Sequence, residues 1–192
     1  LGAKILRFTP AIGVTQKNDK TWTVHTEKGD INCQYVVNAA GYYAQQVGEW
    51  FKPYGGRTVP MMVMSHQYLL SEEIPEIENY AKKSGKKLPL LRDVDISYYL
   101  RQEKNGFNLG PYEPNCKAHW ATEDDPMPDD FSFQLWNDDL DRIEDIVSDA
   151  MERVPLLGTS GVSRIINGPI PYAPDGLPLI GPMPGVENGF EA

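Results

Sequence analysis

The fold of this chain is decided by one stretch, QYVVNAAGYYA, which occupies residues 34–44. Residues 35–37 form a short apolar run of strand-forming side chains, which is typical of a strand covered on both faces. Residues 38–41 carry little side-chain bulk, so backbone N–H groups there can approach another backbone or a phosphate closely. Residues 44–51 have the apolar spacing of a helix. Taken alone, these residues fit a plain strand-to-helix crossover and a cofactor-binding turn equally well.

The size and charge of the chain narrow its class. Its 192 residues suffice for one good hydrophobic core or for parts of two. A hydrophobic fraction of 41% and a charged fraction of 23% indicate a globular protein. The net charge of -9 argues against binding to nucleic acid or to an anionic membrane surface, and no apolar run is long enough to span a bilayer. The only cysteines, Cys33 and Cys116, favour a reducing compartment over a disulfide framework.

Both ends of the sequence look internal to a longer protein. The chain begins at Leu1, and residues 185–192 stop where another strand is expected. No G-x-G-x-x-G pattern and no P-loop pattern occurs, although a complete dinucleotide-binding domain should begin with one. We therefore expect this chain to be an internal piece of a larger protein.

The middle of the chain predicts a mostly antiparallel sheet. Residues 58–70 form a long β-like run in which period-two alternation puts five side chains on one face. These are Met62, Met64, His66, Tyr68 and Leu70. Residues 96–101 and 107–112 indicate two strands joined by a hairpin turn at residues 104–106. Apolar residues at helical spacing then predict a helix within residues 138–154.

The histidines and cysteines indicate no metal site and one candidate base. Cys116 and His119 have a spacing found in zinc sites, but nothing nearby completes a tetrahedral set of ligands. His66 interrupts an otherwise apolar strand face. An imidazole titrates in the range needed to take a proton from an amine, and its surroundings tune its pKa. From the residues alone, a structural histidine is the simpler interpretation of His66 and a catalytic base the alternative.

Two motifs carry a resemblance to a known family. VVNAAGYYA at residues 36–44 resembles the V-V-N-A-A-G-x-W-A element of the FAD-dependent amine and amino-acid oxidoreductases, with Tyr43 in place of the usual Trp. This is the group of D-amino-acid oxidase, glycine oxidase and sarcosine oxidase. NGPIPYAPDGLPLIGP at residues 167–182 resembles the N-G-x-x-x-x-x-P-D-G-x-P-x-I-G-P element of the same family. In that family the first element closes the FAD-binding domain, and the second returns the chain to it from the substrate domain.

The resemblance implies an α+β fold with a fixed order of domains. Residues 1–50 are expected to be the C-terminal part of a Rossmann-like FAD-binding domain. Residues 51–168 are expected to be a substrate-binding domain with a mostly antiparallel sheet and flanking helices. Residues 169–192 are expected to be the return segment toward the FAD domain.

The same resemblance implies FAD as the cofactor and identifies residues near it. Residues 9–14 resemble the strand whose backbone lies near the FAD adenine, with Ala11 at a position where Val is usual. Ala39, Ala40 and Gly41 form the small-residue turn that is expected beside the cofactor.

Further motifs narrow the resemblance to the dimethylglycine and sarcosine dehydrogenases. HQY at residues 66–68 resembles their H-Q-Y, and LRD, SYYLRQE and GPYE follow in the same order at residues 91–93, 97–103 and 110–113. The implied function is FAD-dependent oxidative demethylation of a small N-methylated amino acid such as dimethylglycine or sarcosine. A glycine- or D-amino-acid-oxidase-type flavoenzyme and a non-redox carboxylate-binding module that kept the fold are the alternatives. Electrons would pass to oxygen or to an electron-transfer flavoprotein, in the bacterial cytoplasm or the mitochondrial matrix.

The resemblance makes His66 the leading candidate for the catalytic base. Tyr98 is predicted to face the substrate with His66, because its family counterpart does so and because it shares a strand face with Ile96 and Leu100. Tyr99 should point to the opposite face and pack within the sheet. Aromatic faces attract a methylated ammonium, and a substrate carboxylate favours an arginine. The candidate arginines are Arg92, Arg101 and Arg164, and the sequence does not choose among them.

Overall fold

The computed structural model describes residues 2–122 and 124–192. Its strands are β1 (Ala11–Gln16), β2 (Trp22–Thr26), β3 (Ile31–Cys33), β4 (Val36–Asn38), β5 (Met62–Ser71), β6 (Leu91–Asp93), β7 (Tyr98–Glu103), β8 (Gly106–Pro111), β9 (Ala118–His119), β10 (Val162–Tyr172), β11 (Gly181–Pro182) and β12 (Gly189–Glu191). Its α-helices are α1 (Ala44–Glu49), α2 (Pro75–Ser84) and α3 (Glu144–Arg153), and short 3-10 helices occupy Gly41–Tyr43, Lys52–Tyr54, Leu140–Arg142 and Pro155–Thr159. In the described part of the chain, no helix has both the length and the apolar composition that crossing a membrane requires.

The chain forms two compact units. The terminal unit consists of Leu1–Met62 together with Pro171–Ala192, and the central unit consists of Val63–Ile170. The terminal unit consists of two separate stretches of the chain because β4, in the first stretch, pairs with β12, in the second.

The terminal unit contains two three-stranded sheets. Strands β1, β2 and β3 form an antiparallel sheet, and β12 lies between β11 and β4 in the other, antiparallel to β11 and parallel to β4. The core is centred on Trp22, which is fully buried and meets the ring of Phe51 edge-on at a centroid distance of 5.3 Å. Met183 and Val186 pack into the same cluster. Edge-to-face aromatic packing of this kind stabilises the core beyond the burial of apolar area.

The strand, turn and helix predicted from residues 34–44 are present, but the strand is not covered on both faces. Strand β4 lies at the edge of its sheet, and Tyr35 and Val37 expose 59% and 55% of their surfaces. The prediction of burial is therefore wrong for this unit. An apolar run reports strand propensity, whereas burial depends on which layers pack against the strand.

The central unit is a mostly antiparallel sheet with helices packed on one face. Its strand order is β10-β5-β8-β7-β6, and β9 also pairs with β5. The predicted hairpin is present, because β7 and β8 pair antiparallel over their whole length. The helix predicted within residues 138–154 corresponds to α3, and its Val147 and Ala150 are buried in the core together with Ile77 of α2. This mixed architecture confirms the predicted α+β class.

Candidate active site

Strand β5 presents two different sets of side chains to the two faces of the central sheet. One set is buried: Val63, Ser65, Gln67 and Leu69. The alternate set is half-buried: Met64, His66, Tyr68 and Leu70. We call the face that packs on the helices the core face and the opposite face the open face. His66 therefore lies on the open face, in the alternation predicted from the sequence.

Tyr98 and Tyr99, which are adjacent on β7, lie on opposite faces as predicted. Each of them, however, lies on the face that was predicted for the other. Tyr98 is fully buried in the core with Leu100 and Leu109, and within the described residues its hydroxyl has no hydrogen-bond partner. Leu100 and Leu109 are cross-strand partners, and such partners share a face. Tyr99 therefore points to the open face, which also carries His66.

The prediction that Tyr98 shares a face with His66 is therefore wrong. Ile96 and Leu100 flank Tyr98 because that side of β7 packs on the helices, so an apolar neighbourhood marked the core rather than a pocket. A glycine was the better signal, since Gly110 lies opposite Tyr99 in the β7–β8 ladder. Glycine within a strand often marks a place where another group approaches the backbone closely.

Tyr99 is part of an aromatic row across the open face. Its ring fills the space that a Cβ atom on Gly110 would occupy, so the glycine lets the ring lie against the backbone. Tyr99 meets Tyr112 edge-on with ring centroids 6.0 Å apart, and the Arg92 guanidinium lies 4.9 Å over the Tyr112 ring. Burial raises the pKa of Tyr99, against the lowering effect of Arg101. The phenol therefore stays protonated at neutral pH and can donate a hydrogen bond.

His66 is held in its neutral form. Only 18% of its side chain is exposed, and its Nδ1 lies 3.6 Å from Oε1 of Glu113. Burial lowers the pKa of His66, the Glu113 carboxylate raises it, and Arg142 lowers it, with a net shift below the ordinary value. A neutral imidazole on a face with aromatic side chains can accept a proton from an amine.

A buried ion pair behind His66 was not predicted from the sequence. The side chains of Glu113 and Arg142 are 1% and 8% exposed, and Arg142 Nε pairs with Glu113 Oε2. Arg142 Nη1 also donates to Ser65 Oγ (2.7 Å), and the backbone N–H of Gln67 donates to Glu113 Oε1 (2.9 Å). An isolated acid in a loop and an arginine before a helix give no sequence signal that they meet.

Two of the three candidate arginines lie on the open face. Arg92 and Tyr99 are cross-strand partners, and Arg101 follows Tyr99 by two residues. Arg101 Nη2 lies 3.3 Å from Glu103 Oε2 in a half-exposed ion pair. Arg164 is exposed on β10.

A cavity of about 470 Å³ lies on the open face near the β7–β8 turn. Its walls include Tyr68, Leu70, Arg101 and Asn108, whereas His66 and Tyr99 do not line it. Asn108 is 3% exposed, and its Oδ1 has no partner among residues 2–122 and 124–192. A buried acceptor of this kind normally has a donor, which a ligand or water would supply here.

Ala39, Ala40 and Gly41 form one turn at the carboxyl end of β4. Asn38 holds it, since its Nδ2 donates to the Ala44 carbonyl (2.9 Å) and its Oδ1 accepts from the Ala40 N–H (3.3 Å). Gly41 has a φ of +59°, and apart from its neighbours in the chain no atom of the described residues lies within 4 Å of where its Cβ would be, so a ligand can approach the backbone. Dinucleotides bind at the carboxyl ends of parallel strands, and β4 and β12 are parallel. These residues therefore fit a dinucleotide cofactor.

Ala11 is placed differently from that turn. It lies exposed at the start of β1, in the other sheet of the terminal unit, where the pairing with β2 is irregular between Ala11 and Gly13. Its contact with the adenine remains a prediction. Over the described part of the chain, no group of three or more His, Cys, Asp or Glu side chains could hold a metal ion.

Comparison with known proteins identifies the family. The family described as FAD dependent oxidoreductase matches residues 1–191. This chain belongs to the FAD-dependent oxidoreductase family. Membership confirms the resemblance seen in the motifs, with FAD as the family's cofactor and oxidoreductase as its class.

Relatives within the FAD-dependent oxidoreductases are similar over nearly the whole chain. The mitochondrial dimethylglycine dehydrogenase of Mus musculus is 39% identical over 195 residues, covering 100% of this chain and 21% of that protein. The mitochondrial sarcosine dehydrogenase of Mus musculus is 31% identical, covering 98% of this chain and 19% of that protein. The chain thus spans about a fifth of the length of these relatives. The crystal structure of L-proline dehydrogenase from P. horikoshii has the same fold, with a TM-score of 0.71, 21% identity, and coverage of 100% of this chain and 45% of that one.

Proposed function

We propose that this chain is part of an FAD-dependent enzyme that oxidises a small N-methylated amino acid such as dimethylglycine or sarcosine. The observation that carries the proposal is a neutral, half-buried His66 on the same sheet face as Tyr68 and Tyr99. Similarity to the dimethylglycine and sarcosine dehydrogenases supports the choice of substrate class. The proposed substrate-binding side chains belong to the central unit, and the proposed cofactor-binding turn belongs to the terminal unit.

His66 would act as the base. FAD, when bound, supplies the acceptor for a hydride from the carbon beside the substrate nitrogen. A protonated amine has no lone pair to stabilise the positive charge that develops as the hydride leaves. Transfer of the ammonium proton to the imidazole of His66 frees that lone pair, and the lowered pKa keeps the imidazole ready to accept it.

The other open-face side chains would hold the substrate. Tyr68 and Tyr99 offer aromatic surfaces to a methylated ammonium, and the protonated Tyr99 hydroxyl can donate to the substrate carboxylate. Arg92 and Arg101 lie on this face as well, and either guanidinium can pair with a carboxylate in the bidentate manner. We propose Arg101 for this role, because its pairing with Glu103 is half-exposed and it lines the cavity at Asn108, whose Oδ1 has no partner among the described residues.

The cofactor side would be the turn at Ala39, Ala40 and Gly41. Its exposed small residues and open backbone would let FAD approach, with Asn38 as the residue that holds the turn in shape. Ala11 would contact the adenine portion through its backbone. In the same proposal, residues 1–50 are the C-terminal part of the FAD-binding domain and residues 51–168 are the substrate-binding domain. Residues 169–192 are the segment that returns toward the FAD-binding domain.

The electron acceptor and the location are also proposals. Electrons would leave the reduced flavin for oxygen or for an electron-transfer flavoprotein. The two acceptors are distinguished by the rate at which the absorbance of oxidised flavin returns in air, measured with and without an electron-transfer flavoprotein. The relatives from Mus musculus are mitochondrial proteins, which favours the mitochondrial matrix. If the source is bacterial, we expect the protein in the cytoplasm.

The test of the proposed function is His66→Ala in the full-length protein with FAD bound. Flavin reduction by dimethylglycine and by sarcosine, followed anaerobically by stopped flow, should slow on the order of 100-fold or more, with the greatest loss at low pH where the amine is protonated. His119→Ala is the matched control, because burial lowers the pKa of His119 as well. Reduction rates for His66→Ala that equal wild type across the pH range would make His66 a packing residue.

A further inference from the structure

The hydrogen-bond ladder of β5 is interrupted beside His66. The ladder with β8 covers Leu69 and Leu70, and the ladder with β9 covers Val63 and Met64. Between them, the backbone N–H of Gln67 donates to Oε1 of Glu113 at 2.9 Å. A side-chain carboxylate therefore occupies a position at the sheet that a neighbouring strand's carbonyl would normally take. Buried backbone donors need such a partner, so this contact holds Glu113 in a defined place.

The Glu113 carboxylate reaches groups on both faces of the sheet. On the core side, its Oε2 pairs with Nε of Arg142, whose Nη1 is anchored on Ser65 Oγ at 2.7 Å. On the open side, its Oε1 lies 3.6 Å from Nδ1 of His66. One carboxylate thus connects a buried cation in the core to the imidazole on the open face.

Stability alone is a poor reason for this arrangement. Desolvating two charges costs about as much free energy as their attraction returns, and apolar replacements of buried pairs are often neutral or stabilising. Arg142 retains a buried Nη2 that has no hydrogen-bond partner in the described part of the chain, which adds to that cost. An effect of the Glu113–Arg142 pair on His66 would explain why these two charges are buried, whereas packing does not explain it.

We propose that Glu113 is the positioning residue of His66: its carboxylate holds the imidazole proton on Nδ1, which leaves Nε2 free to accept a proton on the open face. Arg142, which pairs with Oε2, fixes the carboxylate in place. The inference rests on the proposed function of His66 as the base. A histidine has two ring nitrogens, and the group beside one of them determines which nitrogen is left to act as the acceptor.

The charges that act on His66 come from two elements. Glu113 follows β8 and raises the pKa of His66, whereas Arg142 precedes α3 and lowers it. Removing the two charges one at a time should therefore move the titration of His66 in opposite directions. Opposed shifts would show that both charges act on the imidazole, and a rate measurement is needed to show that Glu113 also positions it.

The experiment uses the full-length protein with FAD and the variants Glu113→Gln and Arg142→Met. Reaction of each histidine with diethyl pyrocarbonate is located by peptide mass spectrometry and followed against pH, which reports the titration of His66 without any need for activity. The apparent pKa of His66 should fall in Glu113→Gln and rise in Arg142→Met. Lys117→Met is the matched control, since Lys117 joins the same network through Asp139 but is not among the charges that shift the pKa of His66. His25 in the same digest controls for reagent and unfolding, because its ring nitrogens contact Thr15 and Asp30 rather than Glu113 or Arg142.

A kinetic readout separates positioning from titration. At high pH, where His66 is neutral in every variant, Glu113→Gln should still lower the limiting rate of flavin reduction roughly 10- to 100-fold, by analogy with the loss of the carboxylate partners of metal-binding histidines. If a single variant fails to fold, the double variant Glu113→Gln/Arg142→Met removes both buried charges. Because Glu113 affects the pKa of His66 more strongly than Arg142 does, the double variant should still lower the apparent pKa of His66.

Two results would decide against the inference. Reactivity profiles of His66 that coincide with wild type in the folded variants would leave Glu113 and Arg142 a structural pair. A wild-type limiting rate for Glu113→Gln at high pH would have the same meaning. Failure of the proposed function is distinguishable, because His66→Ala would then reduce flavin normally while the reactivity profiles still report whether Glu113 controls His66.

Discussion

Tyr98 and Tyr99 are neighbours in sequence, yet they lie on the two faces of one sheet and differ in almost every physical respect. Tyr98 is fully buried among apolar side chains, and its hydroxyl has no hydrogen-bond partner in the described part of the chain. Tyr99 is half-buried across a glycine, beside Tyr112 and on the face of His66. The difference shows that an apolar neighbourhood marks the core face. The candidate for a functional role is Tyr99, whose ring lies against Gly110 on the neighbouring strand.

The largest effect is expected for Tyr98→Ala. Removing a fully buried ring leaves a cavity in the core, and large-to-small changes of this kind cost about 3–5 kcal/mol of unfolding free energy. Tyr99→Ala should cost clearly less, because half-burial means that fewer contacts are lost. Chemical denaturation of both variants measures the difference. Equal losses would mean that the two faces are not core and open as described.

Gly110→Ala should disturb the open face while the core face stays intact. Its Cβ would collide with the Tyr99 ring, so the ring must move, with a loss of about 1–3 kcal/mol of stability. Flavin reduction should fall on the order of 10- to 100-fold if the displaced ring contacts the substrate. Adding Tyr99→Ala to the same chain should remove the clash, so the double variant should be about as stable as Tyr99→Ala alone while the rate stays low. A Gly110→Ala variant with unchanged stability and rate would contradict the close contact.

Removing one hydroxyl at a time compares the two faces with the smallest chemical change. Tyr99→Phe should lower the rate of flavin reduction by about 0.5–1.5 kcal/mol of lost hydrogen bonding, or roughly 2- to 13-fold, with little change in melting temperature. Tyr98→Phe should leave the rate unchanged and the stability equal or slightly higher, since it removes a buried unpartnered oxygen. A catalytic loss confined to Tyr98→Phe would return the substrate-facing role to Tyr98.

The smallest effect concerns the dependence of stability on pH. The pKa of His66 is lowered in the folded chain, mainly by burial, so the unfolded chain binds its proton first as the pH falls. The free energy of unfolding should therefore decline as the pH drops below about 6.5, down through the lower folded pKa, and should not depend on His66 above that range. In His66→Gln this decline should shrink and leave the part due to His119, whose pKa burial also lowers. Urea unfolding between pH 5 and pH 8, roughly the range in which histidine titrates, checks the slope, and an identical slope in His66→Gln would refute the assignment.

The sequence by itself determined which side chains of a strand share a face. Successive side chains of a strand point to opposite sides, so the pairing of His66 with Tyr68 and the opposition of Tyr98 and Tyr99 follow from backbone geometry alone. The hairpin between β7 and β8 was equally local, since a glycine-containing turn separates two alternating runs. The family motifs gave the class of flavoprotein without reference to packing.

Only the tertiary structure decided which face was the core. That choice depends on where α2 and α3 pack, and it reversed the roles predicted for Tyr98 and Tyr99 and exposed Val37 on an edge strand. The contact of Glu113 with Arg142 was likewise invisible in the sequence, because an acid after a strand and an arginine in a short 3-10 helix resemble any two solvated charges. The physical reason is the same in each case. Local geometry relates a residue to its neighbours along the chain, whereas burial and charge pairing depend on segments that are distant in sequence.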